Sequence, residues 1–121
     1  MSNILELCLS PDLGGLEIYV SKCTNALKSN HHIFNVININ GKLKTYIKNE
    51  NETLFISRKR GLFILQNALM VAKFIDHNNI DIIHFHWTKD APLVVLSKLF
   101  SKKKPKIIQT IHGLGYRFTS H

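Results

Sequence analysis

A short turn near the amino terminus, residues 10–17 (SPDLGGLE), has the residue types of an anion-binding site. Its adjacent glycines, Gly14 and Gly15, allow positive φ and a close approach of the backbone to a ligand. They stand between an apolar run, residues 4–9, and a segment with helical spacing of apolar residues. The unpaired N–H groups and the positive dipole end of that helix would meet a phosphate here. A sharp turn without any ligand explains the two glycines equally well.

Histidines follow two later predicted strands. His84 and His86 are two apart in the apolar run 80–87, so their side chains point to the same side of a strand. Imidazole pairs bind metals, but no third ligand is evident, and we expect structural or substrate-facing hydrogen bonds instead. His112 comes just after the last predicted strand and just before Gly113, which makes it a candidate site residue. The alternative for His112 is a solvated loop histidine.

Strand-like and helix-like segments alternate along the chain, and this pattern predicts the fold. We predict strands at 4–9, 33–39, 53–57, 80–87 and 106–111, and helices at 16–29, 61–77 and 91–100. Such alternation favours an α/β, Rossmann-like three-layer sandwich with a mostly parallel sheet. The glycine turn and both histidine groups follow strands, so all three are predicted to meet at the carboxyl ends of the strands, where such sheets bind ligands.

Local signals give more detailed expectations for single elements. Asn40-Gly41 predicts a turn, and residues 88–90 are predicted to cap the helix that follows. The helix at 61–77 has a predicted buried stripe flanked by Phe63, Ala68 and Val71. The stripe consists of Leu62, Leu65, Leu69, Ala72 and either Ile75 or Asp76.

Charge and length limit the kinds of partner. The chain has 121 residues, enough for one domain, and a formal net charge of +8. Such a balance favours nucleotides, nucleic acid or an acidic membrane surface as partners. Nucleic acid is the least supported, because aromatic residues are not interleaved on a basic face. The basic clusters 58–60 and 102–106 are either solvated surface or surfaces that steer a nucleotide or contact a membrane.

The cysteines and the hydropathy pattern favour a cytoplasmic location. Cys8 and Cys23 occupy apolar positions of predicted elements, as expected of buried thiols in a reducing compartment. We see neither a secretory leader nor an apolar run long enough to span a bilayer. Ten residues follow the last predicted strand, with no helix to cover it. We therefore expect an incomplete domain, or a bare strand edge that causes self-association.

Three motifs occur in a familiar order: LGGLE opening a helix, then IDIIHFH, then KIIQTIHG. In this order and spacing the chain resembles the N-terminal, acceptor-side domain of retaining GT-B glycosyltransferases. The similarity is to family 4, which includes bacterial lipopolysaccharide and capsule sugar transferases. The resemblance covers nearly the whole chain.

The resemblance implies a reaction and a set of site residues. A sugar would pass from a nucleotide-sugar donor to a glycan or lipid-linked acceptor, with retention at the anomeric carbon, and with no cofactor or metal. Gly14 and Gly15 would contact the donor diphosphate, with Glu17 as the glutamate of the same motif, and His112 would contact the transferred sugar. The residues expected to line the substrate side of the cleft are Asp12, His84, His86 and Gly113.

The second domain of this family, which supplies most of the nucleotide contacts, has no counterpart in the sequence. We therefore expect the chain to be inactive alone and to need that domain. The resemblance also implies that the basic face of this half can lie on the inner surface of the cell membrane, and residues 58–60 fit that role. A non-catalytic phosphate-binding or regulatory α/β module is the alternative function.

Overall fold

The computed structural model describes residues 2–9, 32–41, 50–85, 87–111 and 115–119, and its centre is one six-stranded sheet. The strands are β1 (Asn3–Cys8), β2 (His32–Asn38), β3 (Thr53–Ile56), β4 (Ile82–Phe85), β5 (Lys106–Ile111) and β6 (Gly115–Thr119). The helices are α1 (Ile64–His77) and α2 (Ala91–Phe100), with 3-10 turns at Glu50–Glu52, Gly61–Phe63 and Thr88–Asp90.

The strand order is β3-β2-β1-β4-β5-β6, and the first five strands of that order are parallel. The chain therefore extends to one side of β1 with β2 and β3 and to the other side with β4 and β5. Such a reversal is the topological switch point of an α/β sheet, and it lies between β1 and β4. The predicted α/β, Rossmann-like fold is confirmed, and five of its strands were predicted within two residues of their observed bounds.

One face of the sheet carries the main core. Leu5 and Leu7 of β1 pack there against α1 and α2 together with neighbouring strand residues. Every residue of β1 from Ile4 onward is buried, as expected of a central parallel strand covered on both faces. Cys8 lies on the other face and is buried, as predicted, whereas Cys23 lies outside the described residues.

The predicted buried stripe of α1 is wrong in phase. Ala72 and Ile75 are buried, but Leu62, Leu65 and Leu69 are exposed. The residues that face the core are Asn67, Ala68, Val71, Ala72 and Ile75. Two alanines let the helix approach its neighbours closely, so the leucines are left on the outer side. Periodicity predicted a helix correctly but selected the wrong apolar face, because both faces are apolar.

The expected bare edge beside β5 is also wrong. β6 pairs with β5 in antiparallel register, from Ile107 opposite Thr119 to Ile111 opposite Gly115. The glycines of residues 112–116 predict a loop there, but Gly115 and Tyr116 belong to β6, which was not predicted. Its pairing occupies the hydrogen-bonding groups on which the expectation of edge-driven self-association depended.

Other local predictions have mixed outcomes. The turn at Asn40-Gly41 is present, since the Gly41 N–H donates to the Asn38 carbonyl at 3.0 Å. The predicted helix 16–29 lies outside the described residues. Among the helices that the structure describes, none is long and apolar enough to cross a bilayer.

Candidate functional site

The carboxyl-terminal edge of the sheet holds the end of β1 in a fixed position. The Leu9 N–H donates to Oδ2 of Asp90 at 2.9 Å, and the Leu9 carbonyl accepts from Nδ2 of Asn38 at 3.0 Å. Asn38 ends β2, and Asp90 ends the turn between β4 and α2. Side chains from both neighbouring strand ends therefore fix the last backbone unit before the glycine turn. Such bonds satisfy backbone groups that no strand partner reaches.

Asp90 is buried, with 2% of its surface exposed. Burial raises the pKa of this carboxyl to about 7, although the hydrogen bond from Leu9 and the positive charge of Arg58 both oppose the rise. The residue was predicted to cap α2, but its side chain makes no cap hydrogen bond and binds Leu9 instead. Asp90 is therefore a tertiary connection with a carboxyl that titrates near neutral pH.

Cations gather beside Asp90 on an aromatic ring. Trp87 lies between β4 and the turn that contains Asp90. The Arg58 guanidinium carbon lies 5.0 Å from the centre of the Trp87 ring, and the Lys89 ammonium lies 5.5 Å from the same centre. Both distances fall within the range of cation–π attraction. Arg58 belongs to the predicted basic cluster 58–60, which follows β3 and so lies at the same sheet edge.

A row of polar side chains crosses the opposite face of the sheet. The strand registers align Thr53, Asn35, Glu6 and His84 in one row over four adjacent strands. Nδ1 of His84 lies 3.0 Å from both carboxylate oxygens of Glu6. Asn35 donates to Oγ1 of Thr53 at 3.3 Å. Since the Glu6 side chain is fully buried and that of His84 is 13% exposed, this row joins strands inside the protein.

The predicted site residues are only partly covered by the structure. His84 lies in β4, one residue before the end of the strand, and its contact with substrate stays a prediction. The other predicted site residues lie outside the described residues: Asp12, Gly14, Gly15, Glu17, His86, His112 and Gly113. Within the described ranges, no three His, Cys, Asp or Glu side chains are grouped as metal ligands.

Two residues of this edge were missed as site residues in the sequence. The sequence predicts that Asp90 caps a helix, because it precedes Ala91-Pro92, and that Asn38 is the polar residue at the end of a strand. Leu9 is 81 residues away from Asp90 and 29 from Asn38. No local pattern predicts pairing at such separations.

Comparisons with known proteins agree with the fold. Residues 6–121 match the family described as glycosyl transferase 4-like. Comparison with curated proteins gave no match.

A solved structure, the crystal structure of a glycosyltransferase from Rickettsia africae ESF-5, is similar with a TM-score of 0.64 and 23% sequence identity. The similarity covers 93% of this chain and 30% of that chain, so the chain spans less than a third of its structural relative. At this identity the likeness supports the fold. The family match extends over almost the whole sequence, and the chain therefore belongs to the glycosyl transferase 4-like family.

Proposed function

We propose that this chain is the acceptor-side domain of a retaining glycosyltransferase and is inactive without a second, nucleotide-binding domain. The donor is a nucleotide sugar, and the acceptor is a glycan or a lipid-linked sugar. The observation that carries the proposal is the fixed end of β1, where Asp90 and Asn38 hold both backbone groups of Leu9. The glycine turn begins at the next residue.

A fixed entry to this turn matters for the chemistry. Backbone N–H groups at Gly14 and Gly15 stabilise the charge that develops on a departing diphosphate if they are oriented before the reaction. Holding Leu9 by two side chains limits how far the start of the turn moves, so less reorganisation is needed when the donor binds. In this scheme His112 orients the sugar by hydrogen bonding, and Glu17 anchors the first turn of the predicted helix.

Ligand binding by the 121-residue chain tests the proposal. We expect UDP- and GDP-sugars to shift backbone amide NMR signals of Gly14 and Gly15, and we expect no sugar transfer by the chain alone. Gly15→Ala should weaken this binding and Gly15→Val should abolish it, because a Cβ obstructs close approach. Gly41→Ala, in the turn after β2, is the matched control, and circular dichroism checks that each variant is folded.

The alternatives give different results in the same experiment. A response to inorganic phosphate with none to nucleotide sugars would favour a regulatory phosphate-binding module. A response to oligonucleotides alone, lost with added salt, would favour nucleic-acid binding.

We further propose that the domain is cytoplasmic and contacts an anionic membrane through the outer face of α1 and the turn before it. Leu62 is 83% exposed and Phe63 is 63% exposed, and Leu69 continues the same face. Arg58, Lys59 and Arg60 directly precede them. An exposed apolar face beside basic residues has the composition of a helix that lies in a membrane interface.

Vesicle co-sedimentation tests the membrane contact. Phe63→Gln should reduce binding to vesicles that contain anionic lipid, whereas Leu99→Gln should not. Leu99 is a suitable control because it is 60% exposed and lies at the far end of α2. Equal losses in both variants would contradict the assignment to α1. Dimerisation that Phe63→Gln abolishes, without any vesicle binding, would assign the face to a second copy of the chain.

A further inference from the structure

A small pocket opens at the carboxyl-terminal edge of the sheet, on the face that α1 and α2 cover. Four segments form it: the end of β1, the link from β3 to α1, the first turn of α1, and the 3-10 turn that leads into the start of α2. Its lining residues are Leu9, Arg58, Lys59, Ile64, Asn67, Lys89, Asp90 and Leu93. The pocket differs from the glycine turn in composition, since it has a cationic rim and an apolar floor.

The arrangement of charge favours an anion in this pocket. Arg58, Lys59 and Lys89 contribute three positive charges, and two of them lie over the same Trp87 ring. The ring face attracts both of these cations, and together with Lys59 they give the pocket a positively charged rim. The guanidinium group of Arg58 presents paired N–H donors with the spacing of phosphate oxygens.

Two further polar side chains, Asn67 and Asp90, line the wall of the pocket. Asn67 is 4% exposed, and its Nδ2 donates to the Ser57 carbonyl at 2.7 Å, which fixes the amide at the pocket wall. The Asp90 carboxyl is the acidic group among the lining residues. With its pKa raised to about 7, this carboxyl is largely neutral at pH 6 and does not compensate the three cations.

We propose that the pocket between Arg58, Lys89 and Asp90 binds a phosphate group carried by the acceptor. That the phosphate belongs to an acceptor rests on the proposed function. The position of the pocket supports a lipid-borne phosphate, because Arg58 and Ile64 flank the exposed Leu62 and Phe63. A phosphate in the pocket would then lie next to the surface proposed to contact lipid.

Binding of small oxyanions by the full 121-residue chain tests the pocket. Sulfate is the first probe, since its charge stays constant between pH 6 and 8. At pH 6, Arg58→Gln and Lys89→Gln should each weaken sulfate binding about tenfold, the usual effect of losing a charge-assisted hydrogen bond. Lys106→Gln removes the same charge at the amino-terminal edge of the sheet and should change binding less than twofold. Equal effects of Arg58→Gln and Lys106→Gln would overturn the proposal.

The pH dependence of sulfate binding gives a second, independent readout. Ionised Asp90 repels the anion, so wild-type binding should weaken as the pH rises from 6 to 8. Among the described residues, the groups around Asp90 are the Leu9 N–H and the cations Arg58, Lys59 and Lys89. Asp90→Asn keeps an oxygen for Leu9 and should make sulfate binding independent of pH. If sulfate binding by Asp90→Asn depended on pH as strongly as in wild type, the proposed role of Asp90 would be overturned.

Glycerol phosphate and vesicles of phosphatidylcholine with phosphatidic acid separate the two sources of phosphate. Binding of both, with both lost in Arg58→Gln, supports a lipid-borne phosphate, and binding of glycerol phosphate alone supports a soluble acceptor. Vesicle binding that Arg58→Gln leaves unchanged, with no binding of the soluble anions, would overturn the pocket. Gly15→Val distinguishes this proposal from the previous one, since it should abolish nucleotide-sugar binding and leave sulfate binding intact.

Discussion

Aspartates that accept backbone N–H groups lie at both edges of the sheet, and their environments differ. At the amino-terminal edge, Asp76 and Asp81 have carboxyls largely accessible to water and lowered pKa values. At the carboxyl-terminal edge, Asp90 is buried and its pKa is raised to about 7. The same kind of hydrogen bond therefore accompanies opposite shifts, because loss of water around Asp90 outweighs the bond that Leu9 donates.

The amino-terminal pair connects elements. Asp76 ends the last turn of α1 and accepts from the N–H groups of Lys102 and Lys103 at 2.9–3.0 Å. The Lys102 bond is the largest cause of its lowered pKa. Asp81 accepts from the Asn3 N–H at 3.0 Å and lies 3.1 Å from Nζ of Lys103. Both carboxylates stay hydrated and ionised, so they stabilise the fold at neutral pH without titrating there.

Asp90 makes a costly connection in comparison. Its bond to Leu9 needs no charge, and burial penalises the charge that a free aspartate carries at neutral pH. The buried Asp90 carboxyl, which lies beside the cations Arg58 and Lys89, therefore makes the folded protein less stable near pH 7 than at lower pH. Perturbed groups of this kind concentrate at functional sites, and the site proposed above lies at the same edge.

The pH dependence of stability has the largest expected effect. The folded-state pKa of Asp90 lies above that of the unfolded chain, so its contribution is full below about pH 4 and is lost as the pH rises to about 7. The loss has an upper limit of roughly 4 kcal/mol. Urea unfolding of wild type and Asp90→Asn between pH 4 and 8 measures it, as the difference between the two profiles. If the free energy of unfolding depended on pH in the same way in both proteins, Asp90 would not have the raised pKa that distinguishes it from Asp76 and Asp81.

The bond to Leu9 gives the next largest effect. At pH 5, where Asp90 is neutral, Asp90→Ala leaves the buried Leu9 N–H without its acceptor. We expect a loss of about 2 kcal/mol in the free energy of unfolding, and less than half of that for Asp90→Asn. Urea unfolding measures the loss, and accelerated hydrogen exchange at the Leu9 amide assigns it. Equal losses for the two variants would show that the oxygen is not what holds β1.

Asp76 should contribute less because water screens it. Asp76→Ala removes the acceptor of two N–H groups and should cost about 0.5 kcal/mol at pH 7. The lowered pKa means that this contribution is present above about pH 4 and is lost as the pH falls through the folded-state value. Thermal unfolding at pH 7 and pH 3 should show the variant approaching wild type at the lower pH. A larger difference in melting temperature between the variant and wild type at pH 3 than at pH 7 would contradict the lowered pKa of Asp76.

The ion pair of Lys103 with Asp81 should have the smallest effect. Lys103→Gln should cost at most about 0.3 kcal/mol, and 0.5 M NaCl should abolish the difference because both side chains are partly exposed. The effect of Asp90→Asn should persist in the same salt, since its main cause is burial. Melting temperatures with and without salt measure both. Salt sensitivity of the Asp90 effect would mean that its environment is as hydrated as that of Asp81.

Much of the fold follows from local sequence pattern, and the errors have physical causes. The apolar runs around Leu5 and Ile83 predict parallel strands, since a strand covered on both faces is apolar on both sides. The buried face of α1 was not predictable from period, because Leu65 and Val71 are equally apolar and close packing of Ala68 and Ala72 decided the orientation. β6 was missed because an antiparallel strand that follows its neighbour after three residues has no helix between the two strands to signal it.

The sequence by itself determined the α/β order, the family and the positions of the glycine and histidine motifs along the chain. Tertiary structure alone decided that Asp90 and Asn38 fix Leu9, that Arg58 and Lys89 share Trp87, and that Glu6 meets His84. The reason is that residue type and spacing control local backbone structure, whereas these contacts join residues that are far apart in the chain. Their partners, their burial and hence the pKa of Asp90 exist only once the sheet has brought the strand ends together.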